Sequence, residues 1–109
     1  MKVSGYRLMW IIVMFDLPTD SKIARRNYTR FRKKLLQDGY IMLQYSVYGR
    51  PCASEENAQV HARRVRTSLP PAGQVRMLQM TDRQFGRMKV FSGKKRAKVE
   101  HAPDQLEFF

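Results

Sequence analysis

One of the chain's few acids stands where a buried strand should end. In MWIIVMFDLPTD, residues 9–20, seven apolar residues run from Met9 to Phe15 and stop at Asp16. Acid is scarce in this chain, with 21 Lys and Arg against 9 Asp and Glu. A lone carboxylate is a poor site for Mg²⁺ (or Mn²⁺), because Mg²⁺ wants near-octahedral oxygens and takes one or two acids plus waters and phosphates. Two copies of Asp16 facing each other across a two-fold axis would make such a site, with nucleic-acid phosphate adding ligands. The metal would polarise the phosphoryl oxygen and activate water. Two close carboxylates repel unless a cation lies between them, which gives a reason to keep an acid here. The alternative reading is structural, with Asp16 capping the chain locally or pairing with Lys22 or Arg25.

A second constellation is basic. Lys22, Arg25, Arg26, Arg30, Arg32 and Lys33 crowd one short segment, with only Asp20 and Asp38 near it. On a helix, Lys22, Arg26, Arg30 and Lys33 share a face and Arg25 and Arg32 flank one side. A charge run is ordinarily a solvated face. Here the formal net charge is +12, and a polyanion relieves such self-repulsion by releasing condensed counterions. Nucleic-acid phosphate is the favoured partner, with an acidic protein or a membrane surface as the alternative. No residue stands out as a reader of base edges, so binding should be independent of sequence.

Other chemistries find little support. His61 and His101 stand apart from any Cys or acid at ligand spacing, which argues against zinc. Cys52 lies in a turn before a helix with no base beside it, and as the lone cysteine it forms no internal disulfide and fits a reducing cytoplasm. No P-loop, no GxGxxG and no aromatic signature of an RNA-recognition sheet is present.

These residues need elements to position them. Residues 9–17 read as a strand stopped by Pro18, with Thr19, Asp20 and Ser21 as N-cap types for a helix over 21–38. Its apolar face is Ala24, Tyr28, Phe31 and Leu35, and Gly39 ends it. YIMLQYSVYGR, 40–50, reads as one long strand or two short ones bent near Ser46. Ser54 opens a second helix whose core face is Ala58, Ala62, Val65 and Leu69, broken by PPAGQ. A strand follows over 74–81, then a turn over 82–86 and a short strand over 87–91. The order predicts an α+β, ferredoxin-like βαββαβ sandwich with an added C-terminal edge strand. Residues 1–92 form that domain, and 93–109 form a basic linker and a strand or tail.

The first strand is apolar on both sides, with Trp10, Ile12 and Met14 on one and Met9, Ile11, Val13 and Phe15 on the other. Helices cover only one face of such a sheet. The other face predicts a homodimer packed through its sheets, since a two-fold interface needs one self-complementary patch. At 109 residues and 43% hydrophobic composition the chain is one domain with a modest core. No apolar run reaches the roughly 18 residues of a membrane span. Basic residues before the apolar run weakly imitate a signal peptide, but the run is short and leads into Asp-Leu-Pro, as a core strand would.

WIIVMFDLPTD followed by RRNYTRFRKKLLQDGYIMLQYSVYGR resembles the CRISPR-associated protein two family. The likeness continues through TDRQFG to the closing QLEFF. FDLP, MLQYSVY and TDRQFG look most like members from type II systems, and residues 1–8 resemble a short extension. The resemblance implies a dimeric ferredoxin-like fold and a cytoplasmic subunit of spacer acquisition. That subunit bridges integrase dimers on double-stranded prespacer DNA, with the RNA-guided effector nuclease as a further partner. It implies that Asp16 holds the divalent metal with its twin, that Ser46 and Tyr48 support the site, and that Lys22, Arg25 and Arg26 meet the duplex backbone. Metal-dependent endonuclease activity accompanies this role in the family, and a free-standing endoribonuclease of toxin type is the alternative. DQLEFF suits addition of a strand to an exposed sheet edge, on the other protomer or the integrase.

Overall fold

The computed structural model of the chain describes residues 8–104 and 106. The short N-terminal extension before residue 8, and the DQLEFF tail apart from Asp104 and Leu106, lie outside the described residues.

Eight residues, Met9–Asp16, form β1, the centre of the sheet. Helix α1, Lys22–Gln37, begins where the Ser21 hydroxyl accepts the Ala24 N–H at 3.0 Å, replacing one of the backbone partners a helix start lacks. It ends with Gly39 at φ 92°. The Gly39 N–H bonds to the Leu36 carbonyl and the Tyr40 N–H to the Leu35 carbonyl, a Schellman closure. The long segment expected at 40–50 is a hairpin of two strands, β2 (Ile41–Gln44) and β3 (Val47–Cys52), joined by the two-residue turn Tyr45 and Ser46. Helix α2, Glu55–Arg66, is capped by Ser54, and β4 spans Gln74–Thr81. Leu69, expected on the core face of α2, falls beyond the helix and is half exposed.

The strands run antiparallel in the order β2-β3-β1-β4. An α+β chain in this order is compatible with a ferredoxin-like sandwich. Alternate residues of β1 then feed two separate cores. Met9, Ile11, Val13 and Phe15 pack with Phe31 and Leu35 of α1, Tyr40, Tyr48 and, from α2, Ala58 and Val65.

The opposite face differs from expectation. Residues 82–86, predicted as a turn, form a one-turn helix, α3 (Asp82–Gly86), with a reciprocal capping box between Thr81 and Gln84. That turn of helix delivers Phe85 onto Trp10, with rings stacked at 3.8 Å and 6°. Asp82 accepts the indole N–H at 2.7 Å. Gly49 leaves room on β3, since a Cβ there would meet Trp10 at 3.3 Å. Met88, Val99 and Ala102 pack around the same cluster. The chain therefore covers the Trp10 end of its second face by itself, which removes part of the reason given for a second copy. Leu78 and Ile41 on that face remain 49% and 42% exposed.

The strand expected over 87–91 is β5, Val90–Ser92. It pairs not with the edge of the main sheet but with β6, Lys95–Ala97, in a hairpin of its own. No described helix is long and apolar enough to cross a membrane.

The Trp10–Phe85 stack carries most of the second core, so Phe85→Ala should destabilise the chain by about 3–5 kcal/mol. Trp10 is the sole tryptophan, and its emission should shift to the red in the native variant. Chemical denaturation followed by fluorescence measures both.

Candidate functional site

Asp16 is the last residue of β1, on the second face, and it is exposed. It shares that face with Met14 and, across β4, with Gln74 and Arg76. Its carbonyl is crowded by Gly73, whose φ is +94° and where a Cβ would lie 2.7 Å from the Asp16 oxygen. That glycine sets the path of the chain behind the acid. Within the structural alternative, the ion pair with Lys22 or Arg25 does not form among the described residues. The only salt bridges among the described residues belong to Asp38.

Nor does a cluster of three or more metal-ligating side chains occur among the described residues. One carboxylate at a strand end fits a hard divalent cation only as half a site, because the ion needs further oxygens from a second acid or from phosphate.

The basic residues lie as expected. Lys22, Arg25, Arg26, Arg30 and Lys33 are all exposed on α1, and none meets an acid of the described residues within salt-bridge distance. Arg25 donates to the Thr19 carbonyl at 3.1 Å. Two cavities, of about 290 and 260 Å³, are lined by none of these residues and not by Asp16. The basic stripe is an open surface, suited to an extended ligand rather than a small enclosed one.

Ser46 and Tyr48 sit where β3 meets the end of β1. The Ser46 carbonyl accepts the Phe15 N–H at 3.1 Å, and the Ser46 hydroxyl lies 3.3 Å from the Tyr28 hydroxyl. Tyr48 is buried, stacks on Phe15 at 5.6 Å, and its hydroxyl accepts from Arg32 Nε at 2.8 Å. Arg32 thus ties α1 to β3, a role invisible at its flanking position in the sequence. The structure brings Ser46 beside Asp16 through the backbone and holds Tyr48 in the helix-side core.

His61 is a correction. It is not isolated: its Nδ1 lies 2.8 Å from Asp38 Oδ2, while Arg64 holds the other carboxylate oxygen at 2.7 Å. The imidazole is fully buried, and its Nε2 has no partner. Burial lowers the His61 pKa below its ordinary value, against the opposing hydrogen bond to the Asp38 carboxylate. Cys52 is also not in a turn. It ends β3, fully buried, and burial pushes its thiol up although Arg50 stands near. A thiol held protonated is not a nucleophile. Both residues brace the junction of α1, α2 and β3, where Arg50 Nε also donates to the Asp38 carbonyl at 2.6 Å.

Comparison with known proteins decides the family. The family model described as CRISPR associated protein Cas2 matches residues 9–88. The chain belongs to the Cas2 family. A Cas2 of Parvibaculum lavamentivorans is 57% identical over 101 residues, 93% of this chain and all of the relative. One of Flavobacterium psychrophilum is 49% identical over 108 residues, 99% of this chain and 94% of the relative. One of Paracidovorax avenae is 44% identical over 107 residues, 98% of this chain and 99% of the relative. All three carry the name CRISPR-associated endoribonuclease Cas2. The match contains Asp16, the α1 stripe and the Ser46 turn of this Cas2-family chain.

His61 gives a pH test. Its folded pKa is depressed, so the unfolded chain binds more protons once pH falls below the ordinary value of 6.5. The His61 contribution is therefore whole above that value and is lost as pH falls toward the folded pKa, by at most about 1.4 kcal/mol per pH unit. Denaturant unfolding between about pH 8 and pH 5 should show this loss. His61→Gln should flatten it, whatever its absolute stability.

Proposed function

We propose that this chain is a CRISPR adaptation subunit, a homodimer that holds double-stranded prespacer DNA along its α1 cations and bridges integrase dimers. The observation that carries the reading is the stripe of Lys22, Arg25, Arg26, Arg30 and Lys33, exposed and without an acid partner among the described residues. Such a stripe on a chain of net charge +12 binds phosphate with release of counterions and no base selection. Family membership supports the CRISPR setting. FDLP, MLQYSVY and TDRQFG favour a type II system, with its RNA-guided effector nuclease as a further partner, in the cytoplasm.

The dimer draws support from how the second face is covered. Phe85 and Val99 occupy its Trp10 end, whereas Leu78, Arg76 and Gln74 stay exposed toward Asp16. A second copy docking there would bring the two Asp16 carboxylates together. Duplex affinity should fall by orders of magnitude between about 50 and 200 mM salt. Lys22→Gln with Arg26→Gln and Arg30→Gln should weaken it further and lower the log–log salt slope by about 0.9 per contact removed. A flat salt response would overturn the reading, and sedimentation at 12.9 kDa would overturn the dimer.

A second reading is favoured by the relatives' printed name of endoribonuclease. In it the Asp16 pair holds Mg²⁺ or Mn²⁺, which when bound neutralises phosphate charge and activates water. This chain contributes the carboxylate and the cations that seat the strand. A free-standing nuclease of toxin type would need the same residues and no integrase. Asp16→Ala should abolish phosphodiester cleavage and, measured without divalent metal, leave duplex affinity unchanged. Cleavage surviving in that variant would remove Asp16 from any chemistry.

A further inference from the structure

The turn between β2 and β3 is strained, pinned and tipped with an aromatic ring that stabilises little of the fold. Ser46 has φ 60°, the only positive φ outside glycine among the described residues. An L-residue with no amide side chain pays about 1–2 kcal/mol for that conformation. Such strain persists only where the surroundings over-determine it, and it gathers at ligand clamps. Here the pins are the Ser46 carbonyl on the Phe15 N–H and the Ser46 hydroxyl beside Tyr28.

What the turn presents is Tyr45. Its ring lies against Tyr28 at 6.4 Å and 23°, and Tyr28 in turn meets Phe15 edge-on at 5.8 Å. Despite that backing Tyr45 is 68% exposed, so its second face is open to solvent. A large ring left outside a core adds little hydrophobic stabilisation. Arg25 and Arg32 lie one turn of α1 before and after Tyr28 on the same side. Asp16 follows Phe15, the residue to which the turn is tied. An open aromatic face is thus held on the helix side of the sheet, backed by Tyr28, on the flank of α1 that carries Arg25 and Arg32.

We infer that Tyr45 is a stacking platform for one unpaired nucleobase, with Arg25 and its α1 neighbours on the flanking phosphates. The inference rests on the nucleic-acid reading above and names the part of that ligand the turn receives, a single-stranded stretch or a base displaced from a duplex. Every base has a π-face, so the platform would be tolerant of sequence. The ring's remaining free face takes the base while Tyr28 keeps the phenol from turning away. The order in the turn lowers the entropy that stacking would otherwise cost.

The test uses the full chain, a labelled single-stranded oligonucleotide in DNA and RNA forms, and a fully paired duplex of equal length. Tyr45→Ala should weaken binding of the unpaired strand about fivefold or more and leave duplex binding unchanged. Tyr45→Phe and Tyr45→Trp should bind as the parent does, since the ring and not the hydroxyl does the stacking. A 2-aminopurine in the strand should be quenched by the parent chain and not by Tyr45→Ala. Equal binding of the unpaired strand by Tyr45→Ala and the parent overturns the platform. So does an equal loss for strand and duplex, which would make the ring a general support of the surface. A parent chain that binds no nucleic acid at low salt overturns the wider reading, an outcome visible before any variant is compared.

Discussion

Everything in this molecule is arranged around a strand that must be apolar on both sides. Side chains of a strand alternate between faces, and β1 has helices over one face and α3 with the C-terminal segment over the other. Neither set can shift register by a residue without burying the wrong side chain. That double constraint fixes how the strand ends. Phe15 turns into the helix-side core, and Asp16 emerges on the opposite face at the rim. The acid is exposed because its neighbour is buried.

Scarcity of acid shapes the rest of the surface. Asp38 is spent at the junction of the helices, on His61 and Arg64, and Asp82 on the Trp10 indole. Both bonds join segments far apart in the chain, so they hold the fold together and cannot also neutralise α1. Without an acid partner among the described residues the α1 cations keep their charge open at the surface. The β5–β6 hairpin adds exposed Lys94, Lys95 and Arg96 of the same sign. Self-repulsion of this kind is a standing cost to the folded state. A polyanion removes it by screening the chain where it is most crowded.

Much of the frame was legible because its signals are local. Ser21 and Ser54 mark helix starts, Gly39 needs a left-handed φ, and β1 ends at Asp-Leu-Pro, all within a few residues. What escaped depends on distance. The cover of Trp10 comes from Phe85, which nothing in its own neighbourhood marks as core. The Asp38 partner of His61 sits at the end of the other helix, and no spacing rule within one helix finds it. The hairpin at Tyr45 was half legible, because a bend near Ser46 was expected. A serine in the left-handed region carries no glycine or asparagine to announce a two-residue turn. Exposure of the α1 stripe was readable from period alone, whereas its lack of acid partners among the described residues required knowing where Asp38 and Asp82 go.

The same accounting bears on the acid at the strand end. One exposed carboxylate meets a hard cation in water at little advantage, because the ion gives up hydration for a single ligand. A site worth having therefore needs oxygens brought from elsewhere, and two sources lie within this geometry. A second copy docked on the uncovered end of the sheet face would bring another carboxylate by symmetry, because Asp16 stands on that same face. A bound strand would bring phosphates, drawn by the α1 cations that no acid among the described residues neutralises. The sources reinforce each other: phosphate adds negative charge to an already repelling pair, and only a cation makes the three compatible. Under the proposed reading, metal, dimer and polyanion would be linked equilibria, each tightening the binding of the others. A chain that keeps its single strand-end acid clear of its own arginines leaves all three free to couple.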